Sequence, residues 1–248
     1  MTCNEDALST GYVPTKTEQV ANILTHAVAV LPSVCCVFQL YSCEQYTKHA
    51  NGDYSRIRLI YCVVFPALFV ASAAYHATML LPKQHFRLAK YCAHWCDRSM
   101  ILLFVAGSYT PYLSLRTPAN WAPTLTHSLW LFTTIAVIHQ LLMLNRHLFV
   151  DVTLYVGIIA GYAVVTAAFI EDSTGWVMGF SGILVIAAGF VFFFLDGVVP
   201  FAHAIWHLHV VAGAFLQYMS LYAHVFCRDE SPLSTTATVI PKPLHDSL

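Results

Sequence analysis

The chain has 248 residues, of which 58% are hydrophobic and only 10% carry a charge. A soluble domain usually carries about 25% charged residues, so charges this sparse do not cover a globular surface, and lipid is the natural solvent for much of the chain. The net charge is −1 and no basic block occurs, which excludes an electrostatic nucleic-acid binder. The composition therefore predicts an integral membrane protein.

Seven apolar stretches follow one another along the chain. A membrane-spanning helix needs roughly 20 mostly apolar residues, and the stretches that reach this length lie at about 20–42, 57–81, 90–114, 124–145, 152–170, 175–195 and 201–226. The connections are short, which is typical of antiparallel neighbours. We therefore expect an all-α membrane protein, with a seven-transmembrane helix bundle over 18–226, a polar N-terminal tail at 1–17 and a flexible C-terminal tail at 227–248.

Lysine and arginine residues do not decide the orientation of this bundle. With seven spans, the N-terminus and the even-numbered loops share one side of the membrane. The cations on that side are Lys16, Lys83, Arg87, Lys90 and Arg146, and those on the other side are Lys48, Arg56, Arg58, Arg116 and Arg228. The positive-inside rule therefore gives a tie.

The cysteines and one pair of glycines are expected to serve helix packing rather than catalysis or metal binding. The eight cysteines form no C-x-x-C pair and most lie in apolar runs, where cysteine acts as a small hydrophobe. A disulfide framework or a cysteine-based zinc finger is therefore not expected. Gly157 and Gly161 lie four residues apart in the fifth span, and this spacing predicts a close helix contact.

Polar residues at three span ends are the candidates for function, because each ionisable group costs a few kcal/mol to place in a membrane. Ser72 and His76 end the second span in "SAAYH", Asp97 opens the third in "CDRSMILL", and His203 and His207 open the seventh in "FAHAIWHLHV". Even spans return to the N-terminal side, so these ends share one face of the membrane. At 1.5 Å rise per residue, the histidines and Asp97 lie roughly 5–11 Å inside that boundary.

Three imidazoles and one carboxylate at one depth are the composition of a catalytic zinc site with an open position for water. A packing role remains an alternative, since a buried histidine usually makes one hydrogen bond and thirteen histidines give i, i+4 pairs by chance. Haem is a second alternative, although its axial ligands normally come from different helices. A pair on one helical face suits a single small ion better.

The same residues resemble the signature of the progestin and adipoQ receptor (PAQR) family, which includes the haemolysin III proteins. The similar segments are "EQVANILTHAVAV" at 18–30, "SAAYH" at 72–76, "CDRSMILLFVAGSYTPYL" at 96–113 and "DGVVPFAHAIWHLHVVAG" at 196–213. The resemblance implies zinc held by His76, His203 and His207. It also implies that Asp97 holds or activates the bound water, with Ser72 supporting it by a hydrogen bond. The N-terminus and the site would face the cytosol.

Four further residues near these motifs have weaker assignments. His26 belongs to the Thr-His part of the first-span motif, and a structural hydrogen bond is at least as good an interpretation as a site role. His94 lies one turn from Asp97 and is a candidate to orient it. Arg98 points about 100° away from Asp97 and is expected to reach lipid headgroups. Asp196 is a candidate cap for the seventh helix.

Two functions of different classes fit these residues. The first is a zinc-dependent hydrolase in the plasma membrane or an intracellular membrane, with a lipid substrate that the resemblance suggests is an amide such as ceramide. The second is a signalling receptor or scaffold in which zinc only ties helices together. A heterotrimeric-G-protein receptor fits the span count but lacks this polar constellation. Membrane lipids are the expected surroundings in either case.

Overall fold

The computed structural model describes residues 12–43, 52–82, 85–143, 148–169 and 173–227, and over these residues the chain forms seven α-helices and no strand. The helices are α1 (Lys16–Tyr41), α2 (Gly52–Met79), α3 (Arg87–Leu115), α4 (Ala122–Met143), α5 (Leu148–Phe169), α6 (Ser173–Phe194) and α7 (Ala202–Leu221), the last continued by a π-helical turn, Tyr222–Phe226. The predicted seven-helix class is confirmed. Most of the two predicted tails, 1–11 and 228–248, lies outside the described residues.

Five helices (α1, α2, α4, α5 and α6) contain a window that is long and apolar enough to cross a membrane. The remaining two, α3 and α7, do not reach this apolarity because they carry the polar side chains. Asp97 and Arg98 lie on α3, and His203 and His207 lie on α7. Both helices therefore bring ionisable side chains into the bundle.

Aromatic side chains of α2, α3 and α7 form the centre of the bundle. Phe65 of α2 stacks on Tyr218 of α7 with ring centroids 5.7 Å apart, and on Phe104 of α3 at 6.1 Å. Phe65 is completely buried. Large rings in such contact bury much area and add about 0.5–1.5 kcal/mol per pair, so this stack fixes α7 against α2 and α3.

The close helix contact at glycines lies between α6 and α7. The close contact predicted for Gly157 and Gly161 of α5 is not found, so that prediction is wrong. A Cβ built on Gly157 or Gly161 would meet no atom within 4 Å. A Cβ on Gly182 of α6 would lie 2.8 Å from the carbonyl oxygen of Gly213 of α7. The small residues that permit backbone approach are therefore this pair, which presses α7 onto α6.

A disulfide joins Cys43, just after α1, to Cys227, just after the π-helical turn, with their Cα atoms 6.0 Å apart. No disulfide framework was expected from the cysteine pattern, and this pair is separated by 184 residues of sequence. The pairing follows from the fold, since the first and last helices are neighbours. It lies at the end of the bundle opposite to the start of α1.

The tight connection between α6 and α7 positions the start of α7. Val198 and Val199 donate backbone hydrogen bonds to the Leu195 carbonyl at 2.9 and 3.0 Å. Phe201 then takes a left-handed backbone conformation, with φ of 59°. Such a conformation is uncommon for a residue with a side chain, and the Glu18 carboxylate of α1 holds it by accepting from the Phe201 N–H at 3.3 Å.

Candidate metal centre

Three histidines from two helices meet at one point inside the bundle. His76 lies in the last turn of α2, and His203 and His207 lie in the first turns of α7. One ring nitrogen of each lies within 4.8 Å of the corresponding nitrogen of the other two. The ring centroids are 4.7 to 5.0 Å apart. His76 and His207 are buried, and His203 is partly exposed.

Residues of α1 hold two of these rings. His76 Nδ1 lies 2.9 Å from Gln19 Oε1, and His207 Nδ1 lies 3.2 Å from the Asn22 carbonyl oxygen, beside the Thr25 hydroxyl at 3.1 Å. An amide or carbonyl oxygen only accepts hydrogen bonds, so each of these contacts is a hydrogen bond when ring Nδ1 carries the proton. The lone pair of each ring is then on Nε2.

The third ring is fixed in the same way by a carboxylate. His203 Nδ1 lies 3.2 Å from Asp196 Oδ2, in the loop before α7. The Nε2 atom of each histidine is thereby left as the ligand nitrogen, and His76 Nε2 is buried with no hydrogen-bond partner among the described residues. Metal-binding histidines almost always donate their other N–H to a carbonyl or carboxylate. All three rings meet that condition.

Asp97 and Ser72 lie beside this cluster rather than in it. The Asp97 carboxylate is close enough to Ser72 and His203 to interact electrostatically with both, but it is not in the group of mutually close ligand atoms formed by the described residues. Ser72 is buried, and its hydroxyl faces the carboxylate without meeting the geometry of a direct hydrogen bond. The arrangement puts an acceptor next to the three nitrogens without making it a fourth ligand.

A fourth histidine, His26 of α1, stacks on His207 with centroids 4.0 Å apart and planes 16° apart. Phe69 meets the His26 ring edge-on at 5.4 Å. The expected structural hydrogen bond is absent, since neither ring nitrogen has a hydrogen-bond partner among the described residues. His94 stacks on Tyr75 at 4.7 Å, and Tyr75 in turn lies against His76. His26 therefore packs directly against the cluster, and His94 packs against it through Tyr75.

Two charged residues act differently from their predictions. Arg98 was expected at the lipid headgroups, but it donates to Asp151 Oδ2 of α5 at 3.1 Å, inside the bundle. Asp196 was expected to cap α7, but its carboxylate binds His203, and Glu18 supplies the cap instead. Both predictions failed because they considered a single helix, whereas the partners come from other helices.

Sequence reasoning missed the two acceptors on α1, which are the Gln19 side chain and the Asn22 backbone carbonyl. Gln19 and Asn22 are both buried in the first turns of α1. Together with His26 they occupy positions i, i+3 and i+7, which lie on one helical face. This row of polar residues on one face of a membrane-spanning helix was the sequence signal that could have pointed to that face of α1.

The segment before α1 folds over the loop that carries Asp196. The Tyr12 hydroxyl donates to Glu18 Oε2, and this bond to a carboxylate raises the pKa of Tyr12 to about 12. Gly197 has a φ of 82°, and a Cβ there would lie 2.7 Å from Tyr12. Glycine is required here by both the backbone conformation and the space, so Tyr12 and this loop are fitted to each other.

A bundle of seven helices, in which imidazoles of the second and the seventh helix face one another, defines a multi-pass membrane protein with a buried candidate metal centre. The profile of the family described as "Haemolysin-III related" matches residues 15–218, a range that contains every residue of the cluster. The chain belongs to this haemolysin III family, the family of the progestin and adipoQ receptors, as its motifs predicted.

Relatives from animals and bacteria match over most of their length. Monocyte to macrophage differentiation factor of Homo sapiens is 31% identical over 216 residues, which cover 87% of each chain. Hemolysin-3 of Bacillus cereus is 29% identical over 217 residues, 84% of this chain and 92% of the relative. Hemolysin-3 homolog of Bacillus subtilis (strain 168) is 24% identical over 203 residues, 79% of this chain and 89% of the relative.

Proposed function

We propose that His76, His203 and His207 bind zinc and that the protein is a zinc-dependent hydrolase of a lipid amide such as ceramide. The observation that carries this proposal is the hydrogen bond on every ring Nδ1, which leaves three Nε2 lone pairs beside one carboxylate. Three nitrogen ligands with a fourth position open to water are typical of catalytic zinc sites. A structural site would normally use all four positions for protein ligands.

The residues around the cluster have separate roles in this reaction. Bound zinc would supply an activated water and polarise the amide carbonyl. Asp97 would accept the proton that the water loses as its oxygen attacks the carbonyl carbon, and would return it to the departing amine. Ser72 would hold the Asp97 carboxylate in place. Gln19, Asn22 and Asp196 would keep the three rings in the ligating tautomer.

An apolar cavity of about 470 Å³ supports a lipid substrate. It lies between α3, α5, α6 and α7, and Phe104 and Gln217 are among its lining residues. Phe104 is seven residues beyond Asp97, and Gln217 is ten beyond His207, so these two lining residues lie roughly 10–15 Å farther along their helices than the site. A lipid whose polar group reaches the histidines has room there for an apolar chain.

The end of the bundle that carries the site would face the cytosol. Disulfides form and persist in oxidising compartments, and the Cys43–Cys227 disulfide lies at the opposite end. This supports a lumenal or extracellular position for that end. The N-terminus would then be cytosolic, in the plasma membrane or in an intracellular membrane such as Golgi or endosome.

A receptor or scaffold with structural zinc is the second candidate. It is favoured by the position of the cluster, which joins α2 to α7 and, through Gln19 and Asn22, to α1. Under this alternative the metal would fix the arrangement of helices that a signalling partner recognises. Asp97 would then be dispensable, because it is not one of the three ligands.

Metal content of the detergent-purified protein, measured by inductively coupled plasma mass spectrometry, is the first test. We expect about one zinc per chain, lost in His203→Ala/His207→Ala. His209→Ala is the matched control, since His209 lies on the same helix with its Nδ1 bonded to the Ile205 carbonyl of its own turn. Zinc that survives the double substitution would contradict the proposed site.

Asp97→Ala separates the two candidate functions. A hydrolase should keep its zinc and lose the release of fatty acid from lipid amides, measured by mass spectrometry. A scaffold should keep both its zinc and its signalling output. Wild-type protein with full zinc that cleaves no lipid amide or ester would exclude the hydrolase.

A further inference from the structure

A second polar cluster lies beside the histidines, between α3, α4 and α5. Arg98 Nη1 donates to Asp151 Oδ2 at 3.1 Å, and His139 Nδ1 lies 3.2 Å from Asp151 Oδ1. The Asp151 side chain is completely buried, and that of Arg98 is 13% exposed. Removing one partner of a buried ion pair leaves an uncompensated charge, so Arg98 and Asp151 depend on each other.

The α3 backbone is held at the same place. The Tyr155 hydroxyl donates to the Arg98 carbonyl at 3.1 Å and accepts from Gln140 Nε2. The Ser99 hydroxyl donates to Gln140 Oε1 at 3.4 Å. Side chain and backbone of α3 are thus both tied to α4 and α5, which fixes the rotation of α3 about its own axis at this level.

Asp97 is the neighbour of Arg98 on α3, and successive residues of a helix point about 100° apart. With Arg98 directed at α5, the Asp97 carboxylate is close to Ser72 of α2 and His203 of α7. The Arg98 charge also acts on Asp97. The Arg98 guanidinium therefore interacts electrostatically with two carboxylates, those of Asp97 and Asp151, but it donates its direct hydrogen bond to Asp151.

We propose that Asp151 is a positioning residue of the histidine site. It holds the Arg98 guanidinium on the α5 side of α3, so that Asp97 faces the histidines without an ion-pair partner. The inference rests on the proposed function, because it concerns how Asp97 serves the metal. The Arg98 side chain is only 13% exposed, so little water can solvate its guanidinium when an ion-pair partner is lost. If Asp151 is neutralised, Arg98 therefore turns to the next carboxylate, Asp97.

The test uses cobalt in place of zinc, because the visible absorption of bound Co²⁺ reports the geometry of its ligands, including the bound water that Asp97 would hold. Full-length purified protein is loaded with Co²⁺, and its spectrum is compared between variants. Asp151→Asn should alter the spectrum in the same way as Asp97→Asn, and should lower lipid amide turnover about 10- to 100-fold. Asp151→Glu keeps the carboxylate and should keep the wild-type spectrum.

The double variant Arg98→Met/Asp151→Asn distinguishes positioning from a structural role. It removes the cation that would otherwise turn to Asp97, so its spectrum should return toward that of the wild type. If Asp151 only contributes to packing, the cobalt spectrum of the double variant should differ from that of the wild type at least as much as the spectrum of Asp151→Asn does. Tyr109→Phe is the matched control, since it removes the hydrogen bond from α3 to the Ile159 carbonyl of α5 but leaves the ion pair and the contacts of α3 beside Asp97, and its spectrum should be unchanged.

Each result supports or overturns the inference. A wild-type spectrum in Asp151→Asn, or an altered spectrum in the double variant, overturns it and leaves the metal site intact. If Asp151→Asn does not fold, the double variant decides by itself. Wild-type protein that takes up no cobalt overturns the proposed function, and this inference with it.

Discussion

Gln19→Leu is the substitution that tests most directly how the cluster binds metal. Gln19 is buried, and its Oε1 is the acceptor that fixes the proton on His76 Nδ1. Leucine has nearly the same size but no acceptor, so the His76 proton can move to Nε2 and block the ligand lone pair. A buried donor without a partner costs about 1–3 kcal/mol, and about 1.4 kcal/mol is a tenfold change in Kd.

We therefore expect the Kd for zinc to rise about 10- to 100-fold in Gln19→Leu, measured by competition with a fluorescent chelator in detergent. Gln39→Leu is the matched control, because Gln39 lies on the same helix and accepts one hydrogen bond, from Tyr218. It is twenty residues away, or about 30 Å along the axis. Gln19→Glu retains an acceptor and should bind zinc normally. Equal affinities for the two leucine variants would refute the reasoning.

Two further predictions concern the fold and its orientation. Gly182→Leu should lower the thermal midpoint in a detergent unfolding assay, because a Cβ at this position lies 2.8 Å from the Gly213 carbonyl oxygen. Gly157→Ala is the control and should not lower the midpoint, because a Cβ there meets no atom within 4 Å. A lower midpoint for Gly157→Ala would contradict the packing described. In sealed plasma-membrane vesicles whose extracellular face points outward, a membrane-impermeant reductant should free Cys43 and Cys227 for alkylation. Protection of both until the vesicles are opened would place that end in the cytosol.

The position of the histidines could be predicted because it follows from topology. Hydropathy defined the seven helices, and the alternation of their directions put His76, His203 and His207 at one face of the membrane. The short distances between their ring nitrogens agree with that expectation. Only approximate helix ends were needed, so errors of a few residues did not matter.

The hydrogen-bond partners of the cluster could not be predicted in the same way. Gln19 and Asp196 contact their histidines only because of how α1 and the loop before α7 are rotated and placed, which periodicity does not specify. The fifth predicted span begins only at about 152, yet Asp151 lies in the first turn of α5, where it binds Arg98. Partners from different helices depend on packing, and sequence patterns describe one helix at a time.

The contacts between α1 and α7 set the order in which the centre can form. Among the seven described helices, α1 is synthesised first and carries Gln19 and Asn22, whereas α7 is synthesised last and carries His203 and His207. A nascent chain that has inserted α1 to α6 contains His76 and its acceptor, but neither of the other two rings. The three histidines can therefore meet only after α7 has inserted beside α1, so the cluster cannot form while the bundle is incomplete.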